Sequence, residues 1–285
     1  LGALALAAEI EAPEAVEPRI GQRFLLQQHL EALEELRRGP GFLGRDAFVS
    51  GCWSHCILLL QYHAAMSVDD RLQILERRIE QLTHQVGVLE DVHAIRRLQH
   101  AYGYYLDKCL YDEVVDLFAD AGQVRFMGGV FKGKAGLRRL YCDRFRAGFT
   151  GGVNGPVYGF LLDHPQLQDI IDVAPDRRTA HGRFRYVMQA GSHESRPGGP
   201  GRLPQQWWEG GLYENVYVNE GGVWKIRVCG NVCVFQGTFE KGWAFTPKQF
   251  VPFFKETFPK DPLGPDELQT DPPSTLWPDA AVFPF

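Results

Sequence analysis

Long apolar runs are missing from this sequence of 285 residues. Runs such as Ala3 to Ala8 and Cys56 to Leu60 fall far short of the roughly 20 residues that cross a bilayer, so no membrane association is expected. A basic stripe is missing too. Lys and Arg are scattered and the formal net charge is −5, which argues against nucleic acid as a partner. Nucleotide and nucleophile signatures are absent: no GxGxxG follows a strand, and there is no GxxxxGK[ST], GxSxG or HExxH. The six cysteines include the pairs Cys52/Cys56 and Cys229/Cys233, each spaced CxxxC rather than the CxxC of structural zinc sites. They read as ordinary thiols of a cytoplasmic protein, and neither a metal nor an organic cofactor is expected.

What is present suffices for a globular core: 45% of residues are hydrophobic and 12% aromatic. Residues 1–65 lack a sustained period, apart from a helical pattern over Phe24 to Arg38. The Ala-Leu-Ala-Ala stretch at positions 5–8 resembles the end of a secretory signal, whose cleavage sites favour small residues, although a basic n-region is missing. Met66-Ser67-Val68-Asp69-Asp70 reads as a natural start with Ser and Asp capping a helix, and residues 1–65 are expected to be a dispensable extension. From Leu72 the apolar positions run Leu75, Ile79, Leu82, Val86 and Leu89, a three-four alternation that defines a coiled-coil-like helix over 66–90. It serves either as a helix packed on its own domain or as a subunit contact, and a homo-oligomer, dimer or trimer, is expected.

The stripe continues through Ile95, Leu98, Tyr102 and Tyr105, predicting a main helix from Asp91 to Lys108. A short helix capped by Asp112, a strand over Gln123 to Met127, a turn at Gly128-Gly129 and a third helix over Gly133 to Arg146 come next. Beyond a Gly-rich loop, strands are predicted over Leu167–Val173, Thr179–Ala190, Trp208–Val218 and Val223–Phe235, the last two joined by Asn219-Glu220-Gly221-Gly222. Helices followed by a meander give an α+β fold, with the helices on one face of a curved, mostly antiparallel sheet.

Several local features together resemble the SnoaL-like branch of the nuclear transport factor 2-like superfamily. They are Ala94-Ile95-Arg96-Arg97-Leu98 followed by Tyr102 and Leu106-Asp107; Asp116-Leu117-Phe118-Ala119-Asp120; Phe131-Lys132-Gly133-Lys134-Ala135-Gly136-Leu137; His164 before a strand ending Thr179-Ala180-His181-Gly182-Arg183; and Gly221-Gly222-Val223-Trp224-Lys225-Ile226. The resemblance implies a cone-shaped α+β barrel of three helices on a curved sheet over residues 91–242, with residues 243–285 as a Phe/Pro-rich tail. Some members are cofactor-free lyases such as scytalone dehydratase and hexachlorocyclohexane dehydrochlorinase, and others bind without catalysis. In those two enzymes an aspartate ending the first helix pairs with a histidine before the long strands, which by position implies Asp107 and His164 here. The arginine in the last strand of the dehydrochlorinase falls near Cys229.

Taken by themselves, Asp107 is a carboxylate on a helical line with Gly103, Leu110 and Val114, and His164 is held extended by Pro165. Asp107 could instead cap the following turn, and His164 could be a satisfied structural residue or pair with Asp163. An imidazole suits a general base near neutral pH. Tyr104 shares the Asp107 side of the helix, Phe126, Trp208 and Tyr213 are expected pocket walls, and Asn231 is an expected polar anchor. A one-residue register slip would move any of the strand residues to the other face. The expected function is a cofactor-independent lyase or isomerase, with dehydratase-like elimination on an aromatic or polyketide-like small molecule. The alternatives are a ligand-binding protein without chemistry and a partner-binding adaptor.

Overall fold

The computed structural model describes residues 67–198, 205–247 and 253–270. The expected extension, its Phe24–Arg38 helix and the Cys52/Cys56 pair lie outside them. The chain divides into two compact units, Leu1–Arg77 and Arg78–Phe285. Only the opening of one helix is described in the first.

That helix, α1, runs unbroken over Val68–Asp107. Where the sequence pattern suggested two helices, one exists: no Pro or capping signal interrupts residues 89–92, so the first stripe passes directly into the second. Ser67 and Asp70 form a reciprocal cap, the Asp70 amide donating to Ser67 Oγ at 3.1 Å and the Ser67 amide to the Asp70 carboxylate at 3.3 Å. Asp91, Ile95, Gln99, Tyr102, Gly103 and Leu106 form the buried side of the C-terminal half.

Helix α2 (Tyr111–Asp116) follows. Asp112 does not cap it; the side chain of Asn154 does that work from a distant loop, its Oδ1 accepting the amides of Tyr111 and Asp112 at 2.8 and 3.2 Å. Strands β1 (Phe118–Phe126) and β2 (Gly129–Lys132) form a hairpin. Met127 and Gly128 at its tip both have positive φ, 46° and 76°, as the tight turn requires. Helix α3 (Gly133–Arg138) runs through a π-helical stretch, Arg139–Phe145, into α4 (Arg146–Thr150).

The sheet is completed by β3 (Phe160–Asp163), β4 (Gln166–Val173), β5 (Thr179–Ser192), β6 (Gln206–Glu220) and β7 (Val223–Thr238), with the short helix α5 (Gly242–Phe245) after it. A further strand, β8 (Glu267–Leu268), pairs with β2. Strand order is β3-β5-β6-β7-β1-β2-β8, with β4 also paired to β5. The β1–β7 pairing is parallel and the other pairings are antiparallel. This is the expected α+β arrangement, a curved sheet of eight strands whose inner face meets the helices. Its core joins Ile95, Tyr102 and Leu106 of α1 to Phe184, Tyr217 and Ile226 of the sheet.

The segment drawn from sequence as a tail packs against the hairpin. The amides of Phe254, Asp266 and Gln269 donate to the carbonyls of Met127, Val130 and Gly128 at 3.0, 2.9 and 2.8 Å. Buried Arg139 holds it from the π-helical stretch, with Nη2 2.6 Å from Asp266 and its guanidinium 4.4 Å above the Phe258 ring.

Candidate functional site

Between the helices and the inner face of the sheet lies a cavity of about 610 Å³, within the range of small-molecule sites. Its wall is aromatic and aliphatic, and few polar side chains reach it: Tyr102, Tyr141, His164, Tyr186, Glu209, Tyr213 and Asn231 among them.

His164 is 3% exposed, and the end of α1 meets it there. Its Nδ1 lies 2.5 Å from Asp107 Oδ1, and the same oxygen accepts the His164 backbone amide at 3.1 Å. Asp107 also borders a smaller outer hollow with His100, Gly103 and Tyr104, so the imidazole stands between that hollow and the main cavity. With Nδ1–H donated to the carboxylate, Nε2 carries the lone pair, and it faces the Tyr213 hydroxyl at 3.1 Å. A buried polar chain backs the pair. Gln166 Nε2 donates to the His164 carbonyl at 3.0 Å, Gln99 Nε2 donates to Gln166 Oε1 at 2.8 Å, and Gln99 Oε1 accepts from Asn215 Nδ2 and the Tyr217 hydroxyl, each at 2.8 Å. Gln166 reaches across α1 because residue 103 is Gly: a Cβ there would stand 2.8 Å from Gln166 Cγ.

The tyrosines work as neutral phenols. Burial pushes the hydroxyls of Tyr102, Tyr141, Tyr186 and Tyr213 well above their ordinary value, so each remains a hydrogen-bond donor at neutral pH. Tyr102 and Tyr141 hydroxyls are 3.0 Å apart. Burial also pushes the Cys229 thiol up to about 12, which removes it as a thiolate nucleophile. Among the described residues no three His, Cys, Asp or Glu side chains converge as a metal site.

Glu209 is the residue that sequence reasoning missed. It is buried in the cavity wall, its Oε1 accepting the Tyr186 hydroxyl and its Oε2 accepting Gln236 Nε2, both at 2.8 Å. Burial raises its pKa, against the opposing pull of the Gln236 and Tyr186 hydrogen bonds. A carboxyl raised on folding contributes stability that is full below its unfolded pKa and is lost as pH rises through its folded pKa. Glu209→Gln should therefore flatten the fall in melting temperature as pH increases from the ordinary glutamate range. An equally steep fall in the variant, followed by differential scanning fluorimetry, would mean that Glu209 is not its source.

Phe126, Tyr213, Asn231 and His164 line the main cavity. Trp208 does not. It stacks on Phe239 at 6.0 Å outside, and Trp207 takes the inner position. Side chains alternate along β6, so Trp207, Glu209 and Tyr213 share one face and Trp208 the other. Tyr104 is also outside, 72% exposed beside the outer hollow, because it lies about 200° around the helix from inward-facing Tyr102. Period two on β6, counted from Tyr213, would have found Trp207 and Glu209.

The model of the SnoaL-like domain family matches residues 87–229. The chain belongs to this family. The SnoaL-like domain thus begins inside α1 and takes in both Asp107 and His164. Among solved structures, similar folds occur in a provisionally assigned scytalone dehydratase of Novosphingobium aromaticivorans, with 19% identity, 53% of this chain and 89% of that one covered, and a TM-score of 0.41. Another is the type 3 hexachlorocyclohexane dehydrochlorinase of Novosphingobium barchaimii, with 16% identity, 60% and 99% covered, and a TM-score of 0.42. No curated protein sequence matches significantly. No helix of the SnoaL-like domain, or of the other described residues, is long and apolar enough to cross a membrane.

Proposed function

We propose that this protein is a cofactor-independent lyase or isomerase acting on an aromatic or polyketide-like small molecule. The carrying observation is a general-base arrangement inside a mostly apolar chamber: His164 Nδ1 is tied to Asp107 at 2.5 Å while Nε2 faces the cavity side at Tyr213. In this reading His164 Nε2 takes a proton from substrate carbon or oxygen. Asp107 fixes the tautomer and stabilises the imidazolium as it forms. The Tyr213 hydroxyl turns from Nε2 to a substrate oxygen, which frees the lone pair. The neutral tyrosines donate hydrogen bonds to the developing negative charge. A leaving group is then expelled, water in the dehydratase form of the reaction. Glu209 stands on the same wall as a carboxyl with a raised pKa, suited to supply the proton that departs with it. Phe126 and Trp207 hold the substrate's apolar body, and Asn231 Oδ1, buried without a hydrogen-bond partner, waits for a donor on it. A homo-oligomer in the cytoplasm belongs to the same reading.

The alternative is a binding protein of the same fold, which a mostly apolar chamber would also serve. Incubation with a panel of aromatic and polyketide-like compounds, followed by mass spectrometry, separates the two. The expected result is a product lighter than one of the compounds by water or another small fragment, or an isomer of equal mass resolved by chromatography. Tight binding across the panel with every compound recovered unchanged would replace the enzyme by the binder.

A further inference from the structure

The N-terminal half of α1 carries a second pattern that the cavity does not use. Leu72, Leu75, Ile79, Leu82, Val86 and Leu89 are between 44% and 68% exposed. They follow a strict heptad, with Leu72, Ile79 and Val86 at a and Leu75, Leu82 and Leu89 at d, and exposed Val68 extends it at the preceding d. The inward side of the helix begins only at Gly87 and Asp91. There the Asp91 carboxylate accepts Arg177 Nε at 2.5 Å and Trp224 Nε1 at 2.9 Å and anchors the helix. One continuous helix therefore has a stripe that serves its own domain and, before it, an apolar seam that the other described residues leave exposed.

We infer that this seam is the interface of a parallel two-stranded coiled coil with a second copy of the same chain. Two independent features of the seam select that occupant. β-Branched Ile79 and Val86 at a with leucine at every d from 75 to 89 is the combination that favours two parallel strands. The flanking charges also fit. The g positions are Arg71, Arg78 and Gln85, and the e positions are Glu76, Thr83 and Glu90. In a parallel pair each g meets the e five residues on in the partner, which sets Arg71 against Glu76 and brings no like charges together. An antiparallel pair sets g against g and e against e and loses that match. The seam spans only 22 residues, Val68 to Leu89, but α1 continues to Asp107, so the costly nucleation of the helix is already met within the domain. This assembly does not depend on the catalytic reading.

Light scattering on the full chain tests it. The expected mass is twice that of the chain at micromolar concentration, and Ile79→Asp with Leu82→Asp should halve it. Both positions are exposed, so the far-ultraviolet circular dichroism and the melting of the SnoaL-like domain should survive. Leu75→Cys tests direction. Parallel strands bring the two copies of position 75 together, and mild oxidation should give a disulfide-linked dimer beyond the level seen in the unchanged chain. An antiparallel pairing that sets Leu72 against Leu89 places Leu75 opposite Val86 and separates the two thiols by about 16 Å along the axis, since the rise is 1.5 Å per residue. A monomeric full chain, a trimer, or a dimer that survives the double substitution would each overturn the inference. A dimer that dissociates on the double substitution but never cross-links at position 75 would overturn the parallel arrangement.

Discussion

Replacing His164 with alanine is expected to slow turnover by about 10²–10⁴-fold, the usual contribution of a positioned base, with the fold intact. The compound to use is the one altered in the mass-spectrometric panel. Asp107→Asn preserves shape and keeps an oxygen for the His164 backbone amide, but removes the charge that favours the imidazolium. It should slow turnover and displace the pH–rate profile. Because the carboxylate and the imidazole act through a single contact of 2.5 Å, the double variant should be little worse than either single one. Full activity in His164→Ala would discard the dyad.

Gln99→Leu should be the most destabilising single change near the site. Gln99 is fully buried, and its Oε1 accepts two donors, Asn215 Nδ2 and the Tyr217 hydroxyl, while its amide holds Gln166. Leucine strands both donors at roughly 1–3 kcal/mol each, because the bond that Asn215 Nδ2 already donates to the Tyr217 hydroxyl at 3.0 Å replaces neither lost one. Urea denaturation should therefore give a loss of about 2–6 kcal/mol at constant m-value. Tyr217→Phe takes one donor from Gln99 Oε1 and one acceptor from Asn215 Nδ2 but leaves those two groups bonded to each other, and should cost much less. Equal losses in the two variants would mean that packing, not the polar network, sets the stability there. Activity should fall in Gln99→Leu as well, since Gln166 fixes the His164 backbone.

The elements of this fold that announce themselves by period were legible. The two apolar stripes of α1, though not their union in one helix, the antiparallel order of the long strands and the tight Gly221-Gly222 turn follow from apolar spacing and turn chemistry. Asp107 and His164 came from the family resemblance, because nothing local in Leu162-Asp163-His164-Pro165 says which residue 57 positions away it meets. What stayed hidden had a physical cause in each case. Trp208 and Tyr213 differ by an odd number of residues, so on one regular strand they cannot share a face; Trp207 and Glu209 can share it with Tyr213. Gln236 could not be placed by counting, because the pairing of β6 with β7 shifts register between Gly210 and Gly211. That shift lets both Asn231 and Gln236 serve the inner face despite their opposite parity. The contribution of residues 253–270 was invisible because it consists of backbone pairing to the β1–β2 hairpin and scattered contacts from Arg139, Arg144, Lys132 and Phe131, none of which leaves a periodic trace.

That last segment divides labour within the molecule. Phe254 and Leu263 form part of the chamber wall, yet they belong to a stretch about ninety residues beyond His164 and outside the family match. The groups proposed to handle protons sit on α1, on the β3–β4 connection and on β6, whereas one side of the cavity is supplied from residues 253–270. Substitutions at Phe254 or Leu263 can re-cut that space while leaving the imidazole and its carboxylate where they are. A population of such chains could thus explore new guests without first giving up the proposed base.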